Sequence, residues 1–368
     1  MNLAVVDPGS FVLPYDYQLV RALAARGDRV DFYGSTTRYN GDFLSAMTAL
    51  RGVAVRSRAI SSSVAPRWRG AFAYLLLLAA LLWNARRYAI VNLQFSGFWP
   101  AEWLVMALLR RKFVYTVHNA VPHGFFGQRH GPTERLARLA RALVFVSEAT
   151  RDDFLRRYGE AFRVKASVLP HGLLPAAPAS GVVAYDEQPA AAPRTLVFWS
   201  TVKPYKGVEL FAELARSEAI RQRGLALRIH GAWDREMHAL RDELAALGVA
   251  IHDGYLDEAE LLRLLAGDAV FLLPYRDASQ SGALYTLLNH GRYFICADVG
   301  DLGVFLRGHG LAGLLLRERS AAAVIECLDY LAANRAAVTG ALRQAQQSLA
   351  WDRLLAEHGQ AYSADGNA

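Results

Sequence analysis

Cysteine is nearly absent: of 368 residues only Cys296 and Cys327 are cysteines, and their spacing fits no metal-ligand pattern. A chain of this length can bury an adequate core without disulfides, so a reducing, cytoplasmic compartment is expected. No Asp-x-Asp pair occurs, which removes the usual carboxylate clamp for a divalent cation and leads us to expect no metal and no other cofactor. No stretch interleaves basic and aromatic side chains, so nucleic acid is not an expected partner. The opening MNLAVVDPGS has neither a basic start nor a small-residue cleavage site and does not read as a signal peptide. The longest apolar run, AFAYLLLLAALLW at 71–83, is shorter than the roughly 20 residues a membrane span needs.

What is present is a core-forming composition, 53% hydrophobic and 20% charged, with a net charge of +7. Much of the basic excess clusters in the first half, at Arg67, Arg69, Arg86, Arg87, Arg110, Arg111 and Lys112. A basic face of this kind attracts anionic lipid or a phosphorylated substrate. The 71–83 run, flanked by Trp68 and several arginines, reads either as a fully buried helix or as one lying in a membrane interface.

The pattern along the chain alternates strand and helix. NLAVVD at 2–7 reads as a buried strand, 17–26 as a helix stopped by Gly27, and RVDFY at 29–33 as a second strand. Further strands are expected at 89–95, 112–118, 142–146 and 165–169, with helices at 102–109, from Thr133, and after the N-cap Ser147. A Pro- and Ala-rich stretch then interrupts the alternation, which resumes at RTLVFW, 194–199. Strands at 225–230, 249–253, 268–274 and 293–297 follow, with helices at 208–219, 234–247, 257–265 and 282–289. The expected architecture is α/β, with two Rossmann-like doubly wound domains facing a cleft. The domains are set at 1–175 and 194–345. A linker at 176–193 joins them, and a C-terminal helix is expected at 346–368.

Two loops of the second half suit a diphosphate. STVKPYKGVEL at 200–210 puts Ser200, Thr201, Lys206 and Gly207 just before a helix expected to start at Gly207 or Val208. PYRDASQSGALYT at 274–286 puts Arg276, Gln280, Ser281, Gly282, Ala283 and Thr286 at a second strand-to-helix turn. Tyr255, beyond the strand at 249–253, joins this donor-binding set. Taken singly, each loop is weak evidence, and spacing alone slightly favours reading Lys203 and Lys206 as solvated surface lysines. In the first half, His118 ends a strand and is the best candidate for a general base, with Asn119 beside it. His123 and His171 are candidates for contact with sugar or acceptor. Asp7 and Asp16, near the end of the first strand, are further candidates for catalysis, and Asp7 also fits a turn-forming aspartate.

These segments carry a resemblance. TVKPYKG at 201–207, PYR at 274–276, QSG at 280–282, YTVHNAVPH at 115–123, VFVSEAT at 144–150 and LPHG at 169–172 occur in an order similar to that of GT-B glycosyltransferases of family 4. Within that family they most resemble enzymes of bacterial exopolysaccharide assembly, including xanthan-type mannosyltransferases. The resemblance implies a hexosyltransferase that uses a nucleoside-diphosphate sugar, GDP-mannose ahead of UDP-sugars, with 1–175 as the acceptor-binding half and 194–345 as the nucleotide-sugar-binding half. It also implies a final helix, opened by Trp351 and Asp352, that crosses back to the first domain. The chain departs from the family pattern in four places. Thr201 replaces a loop arginine, Ala278 and Thr286 stand where two glutamates hold the donor, and Gly124 replaces a glutamate after His123. Donor contacts are therefore expected to be rebuilt on Gln280, Ser281 and Tyr285.

The partners expected are a nucleotide-sugar donor, a lipid-linked saccharide acceptor and an anionic membrane surface, with the protein peripheral on the inner face of the cell membrane. If transfer inverts the sugar, His118 would be the base; if it retains configuration, His118 would touch the donor sugar and no side-chain base is needed. Two other functions remain open at this level: a GT-B-fold nucleotide-sugar epimerase, and a degenerate partner subunit that binds nucleotide without turnover.

Overall fold

A computed structural model describes residues 1–10, 12–121, 130–185, 194–277 and 281–363. The chain forms two compact units, Met1–Gly172 with Leu349–Ala368, and Leu173–Ser348.

The first unit is built on a seven-stranded parallel sheet. Its strands are β1 (Asn2–Asp7), β2 (Arg29–Ser35), β3 (Val53–Arg58), β4 (Ile90–Leu93), β5 (Phe113–Val117), β6 (Ala142–Phe145) and β7 (Ala166–Val168), in the order β3-β2-β1-β4-β5-β6-β7. β1, β4 and β5 are buried almost throughout because helices cover both faces, which is why they read as apolar runs. The chain starts in mid-sheet, runs to one edge and then crosses back to place β4 beside β1, with Leu3 opposite Ile90 and Val6 opposite Leu93. This reversal opens a crevice at the carboxyl ends of β1 and β4, where Asp7 and Gln94 stand.

The first helix, Leu13–Ala25, begins four residues earlier than the apolar spacing predicts, so Asp16 lies in its first turn. The Arg67–Asn84 helix is not fully buried. Tyr74, Leu77, Leu78 and Leu81 enter the core, while Trp68, Phe72, Leu75, Leu76 and Trp83 face outward, Trp83 being 88% exposed. With apolar residues on both faces, the sequence had no periodicity to separate them.

The tail is integral to the first unit. Trp351 sets its ring edge-on to Tyr15 at 5.0 Å, and a Cβ on Gly172 would lie 2.5 Å from the Trp351 indole. Arg26 donates to the Tyr362 carbonyl at 2.7 Å.

The second unit repeats the plan with six parallel strands: β8 (Thr195–Trp199), β9 (Ala226–Gly231), β10 (Ala250–Asp253), β11 (Ala269–Leu273), β12 (Phe294–Ala297) and β13 (Leu315–Leu316), in the order β10-β9-β8-β11-β12-β13. Its reversal falls between β8 and β11. The boundary between units lies at Gly172, and the described part of the expected linker is not free. Ala177 and Tyr185 are buried in this unit, as are Leu173 and Leu174 just ahead of the linker, and Val183 donates its N–H to the Asn289 carbonyl at 2.8 Å. The apolar side chains scattered between the prolines account for the difference, since each gains burial by packing.

Candidate functional site

In the second unit, both loops expected to take a diphosphate rise from the reversal point, one after β8 and one after β11. The β8 loop does not run straight into a helix. A single 3-10 turn, Pro204–Lys206, comes first, and the helix begins only at Leu210. Gly207 sits between them with φ +68°, in the left-handed region. A Cβ there would lie 2.0 Å from the Pro274 carbonyl oxygen, so only glycine lets the two loops meet. Arg276 N–H completes the junction, donating to the Tyr205 carbonyl at 2.8 Å. Gly231 does the same on the other side of β8: a Cβ there would lie 1.7 Å from the Ser200 carbonyl oxygen.

This junction buries Lys206, which is 7% exposed. Its ammonium lies 3.8 Å from the centre of the Tyr275 ring and 5.1 Å from that of Tyr205, and it makes no ion pair with any described residue. Aromatic faces offset part of the desolvation of a cation, but a buried charge without a counter-ion remains costly. Such a site is built to accept an anion. Tyr275, missed as a site residue by sequence reasoning, is fully buried and shares a hydrogen bond with Ser281 at 3.2 Å. Its signal was present as the aromatic residue next to the strand-ending Pro274. Ser281 precedes the Gly282–Asn289 helix, whose first turn starts where expected. Ala283 lies in that first turn.

Three donor-site expectations change. Arg276 is exposed and bound to Glu209, with its Nε 2.7 Å from the carboxylate, so its guanidinium already has an anionic partner. Thr286 turns its hydroxyl back onto the Gly282 carbonyl at 3.1 Å, inside its own helix. Tyr255 is exposed beyond β10. Ser200 and Thr201 flank the β8–β9 junction, where Ser200 N–H donates to the His230 carbonyl at 3.2 Å. Gln280 and His123 lie outside the described residues.

In the first unit the structure gathers His118, His171, Asp7 and Asp16 around Tyr15. The Tyr15 ring stands edge-on to His118 at 4.9 Å and to His171 at 5.1 Å, and Phe95 stacks on His118 at 4.2 Å. Asn119 follows His118, half-buried. A buried amide chain fixes the imidazole. The Asn92 amide N–H donates to the Val114 carbonyl at 3.3 Å, and a carbonyl can only accept. Asn92 Oδ1 therefore accepts from Gln94 Nε2, and Gln94 Oε1 accepts from His118 Nε2 at 2.9 Å. His118 is thus held as the Nε2–H tautomer with its lone pair on Nδ1. Burial, reinforced by His171, pushes its pKa down to about 3. Burial likewise takes His171 to about 4, its Nδ1 donating to the Gly172 carbonyl at 2.9 Å. Asn92, Gln94 and Tyr362 were missed from sequence, although two amides in the otherwise apolar strand AIVNLQF were a visible signal.

Asp7 and Asp16 do not open to an acceptor. Both are fully buried, and Asp7 Oδ1 accepts the Gly9 N–H at 3.0 Å, the turn-forming role. Burial, and then the neighbouring Asp7 carboxyl, raises the Asp16 pKa well above its ordinary value.

Comparison with known proteins bears on the whole chain. Residues 15–174 match the model of Glycosyltransferase Family 4, and residues 193–334 match Glycosyl transferases group 1. The chain belongs to the GT4-type, GT-B-fold glycosyltransferases. No curated protein matches it by sequence. Among solved structures, HepE from Anabaena, in complex with UDP and glucose, is 15% identical with a TM-score of 0.63; the match covers 97% of this chain and 98% of that one. Sucrose-phosphate synthase from Thermosynechococcus elongatus is 17% identical with a TM-score of 0.66, over 98% of each chain. A trehalose-6-phosphate protein from E. coli, bound with UDP-2-fluoro glucose, is 12% identical with a TM-score of 0.66, over 96% of this chain and 97% of that one. At these identities the likeness establishes the fold, and the two parallel-sheet units are those of a GT-B glycosyltransferase.

Proposed function

We propose that this glycosyltransferase moves a hexose from a nucleoside-diphosphate sugar to a lipid-linked acceptor in bacterial surface-glycan synthesis. The observation that carries the donor half is Lys206, a buried ammonium with no anionic partner among the described residues, at the reversal point of the second sheet. UDP-hexose now ranks ahead of GDP-mannose as donor, because several solved structures of similar fold hold UDP or a UDP-sugar.

In transfer, the bond from the sugar's anomeric carbon to the diphosphate breaks with its electron pair passing to the diphosphate. The acceptor oxygen bonds that carbon and gives up its proton. Lys206 and the backbone N–H groups opening the Gly282–Asn289 helix would carry the leaving charge without a metal. A histidine held near pKa 3 is a poor proton acceptor at neutral pH, and Asp16 is buried against Asp7, away from any acceptor hydroxyl. The leaving diphosphate oxygen is then the best base at hand, which favours retention of configuration.

The acceptor half rests on the outward face of the Arg67–Asn84 helix. Trp68, Phe72 and Trp83 are exposed there beside Arg67, Arg69, Arg86 and Arg87, a pairing suited to an anionic lipid surface. The protein would therefore work peripherally on the inner face of the cell membrane.

The test is thermal stabilisation by UDP, GDP and their hexose conjugates, with and without EDTA, followed by the anomeric configuration of the product. A ligand at 100 times its Kd adds about 2.7 kcal/mol. A shift by one nucleotide family that survives EDTA supports the reading. No shift with any nucleotide, or donor consumption that requires added metal, refutes it.

A further inference from the structure

Between the Pro100–Leu108 and Gly131–Leu139 helices, the first unit holds a cavity of about 170 Å³. Cavities of about 150 Å³ take a benzene-sized apolar group. Phe98, Trp99, Trp103 and Leu136 form most of its wall, with Glu102 and Arg135 as the charged groups.

The two charges differ in what they have left to offer. Glu102 is buried and spends its oxygens inside the protein, accepting from the Tyr74 and Ser96 hydroxyls and from Gly97 N–H at 2.9 Å. Arg135 is exposed and makes no ion pair among the described residues, whereas Arg138 on the same helix is committed to Glu134 at 2.8 Å. The cavity thus presents apolar walls and one available cation. A saccharide would need several converging polar groups, and the wall does not supply them.

Backbone strain points to the same place. Phe98 has φ +55°, a left-handed conformation costly for an aromatic residue. The Ser96 hydroxyl holds it there by accepting the Phe98 N–H at 2.8 Å, and Ser96 is itself anchored on Glu102. Strain of this kind persists where the surroundings enforce it, commonly at ligand sites. The cavity is also continuous with apolar surface, because Trp103, Leu104 and Leu108 are exposed on one helix, and Trp99 packs edge-on against Tyr74 of the Arg67–Asn84 helix at 5.5 Å. Arg110 and Arg111, exposed just past that helix, carry the positive rim onward.

We propose that this cavity binds the first isoprene units of a polyprenyl-phosphate-linked acceptor, with Arg135 against the phosphate and the remaining tail along the apolar face. The assignment rests on the lipid-acceptor reading above and gives it a site. Charge complementarity and the exhausted carboxylate favour an isoprenoid phosphate over a neutral lipid or a free sugar.

The probe is farnesyl phosphate, with binding to the full chain followed by calorimetry against farnesol and inorganic phosphate. Farnesyl phosphate should bind one to one, and farnesol and inorganic phosphate at least ten-fold more weakly. Trp103→Ala and Arg135→Ala should each weaken farnesyl phosphate at least ten-fold, and Arg135→Ala should leave farnesol unchanged. Both side chains are exposed, so the melting temperature should not move, and UDP binding should be intact. Inorganic phosphate competing as well as farnesyl phosphate, or both variants binding like the parent, overturns the proposal. Transfer to a lipid-linked acceptor without farnesyl phosphate binding removes the cavity assignment and leaves the lipid-acceptor reading standing. Binding at the cavity with transfer only to water-soluble acceptors does the reverse.

Discussion

The Tyr362 hydroxyl donates to Asn92 Oδ1 at 3.1 Å across 270 residues of sequence. Asn92 Oδ1 also receives Gln94, and Gln94 receives His118, so the tail supports the amide chain that fixes the histidine's tautomer. In Tyr362→Phe the ring still fills its place, and Asn92 keeps the Gln94 contact. The expected loss is about 1 kcal/mol in urea unfolding, with the first unit still folded. A loss under about 0.3 kcal/mol would show that the bond contributes little.

Lys206→Met keeps most of the stem against Tyr275 and removes the charge. Nucleoside diphosphate affinity should fall more than ten-fold, while the ligand-free melting temperature holds or rises, because a buried cation without a counter-ion is gone. Calorimetric titration with UDP and a ligand-free melt check both halves. Unchanged affinity would remove Lys206 from the donor site.

Gly207→Ala tests the junction of the two loops. The added methyl meets the Pro274 carbonyl oxygen at 2.0 Å, on a backbone already at φ +68°. Destabilisation of at least about 2 kcal/mol is expected, together with weaker nucleotide binding, since one loop must move. Denaturant unfolding followed in the second unit reads the first effect.

His290 accepts the Ala176 N–H at Nε2 at 3.1 Å, which requires a neutral ring. Burial, then the Arg292 charge, lowers its pKa to about 4. The unfolded value near 6.5 lies above this, so unfolding takes up a proton between the two values. Its stabilising contribution is complete above about pH 6.5 and is lost as pH falls toward 4. Comparing the parent with His290→Gln cancels other titrating groups. The parent's stability should fall more steeply below pH 6, by up to about 1.4 kcal/mol per pH unit. Parallel pH profiles would contradict this.

The sheet architecture was largely legible because strands covered on both faces announce themselves as apolar runs, as in NLAVVD and AVFLL. The segment 36–66 was silent. It holds β3 at the sheet edge, whose Val53–Arg58 residues are half-buried or exposed and carry no clean run. The helix 208–219 was read through a break that the structure makes at Ser217. As candidates, Lys206, Gly207 and His118 were readable from residue type at strand ends. Tyr275, Gln94 and Tyr362 were not, because what they do depends on contacts between distant segments. Arg276 showed the opposite failure: its position suited a phosphate, but Glu209, 67 residues earlier, takes its guanidinium. Asp16 looked like an accessible carboxylate, but the structure buries it fully beside Asp7.

The first unit is assembled from the beginning of the chain and from residues synthesised after all of the second. Trp351 and Tyr362 therefore emerge from the ribosome after the whole of the second unit, while the sheet they complete emerges before it. The second unit, continuous in sequence, can finish folding during translation. The first must wait with Tyr15, Asn92 and Gly172 uncovered until its closing segment arrives. A translation arrest or truncation before Leu349 would thus leave the early half, and not the nearby late half, as the material exposed to chaperones and proteases.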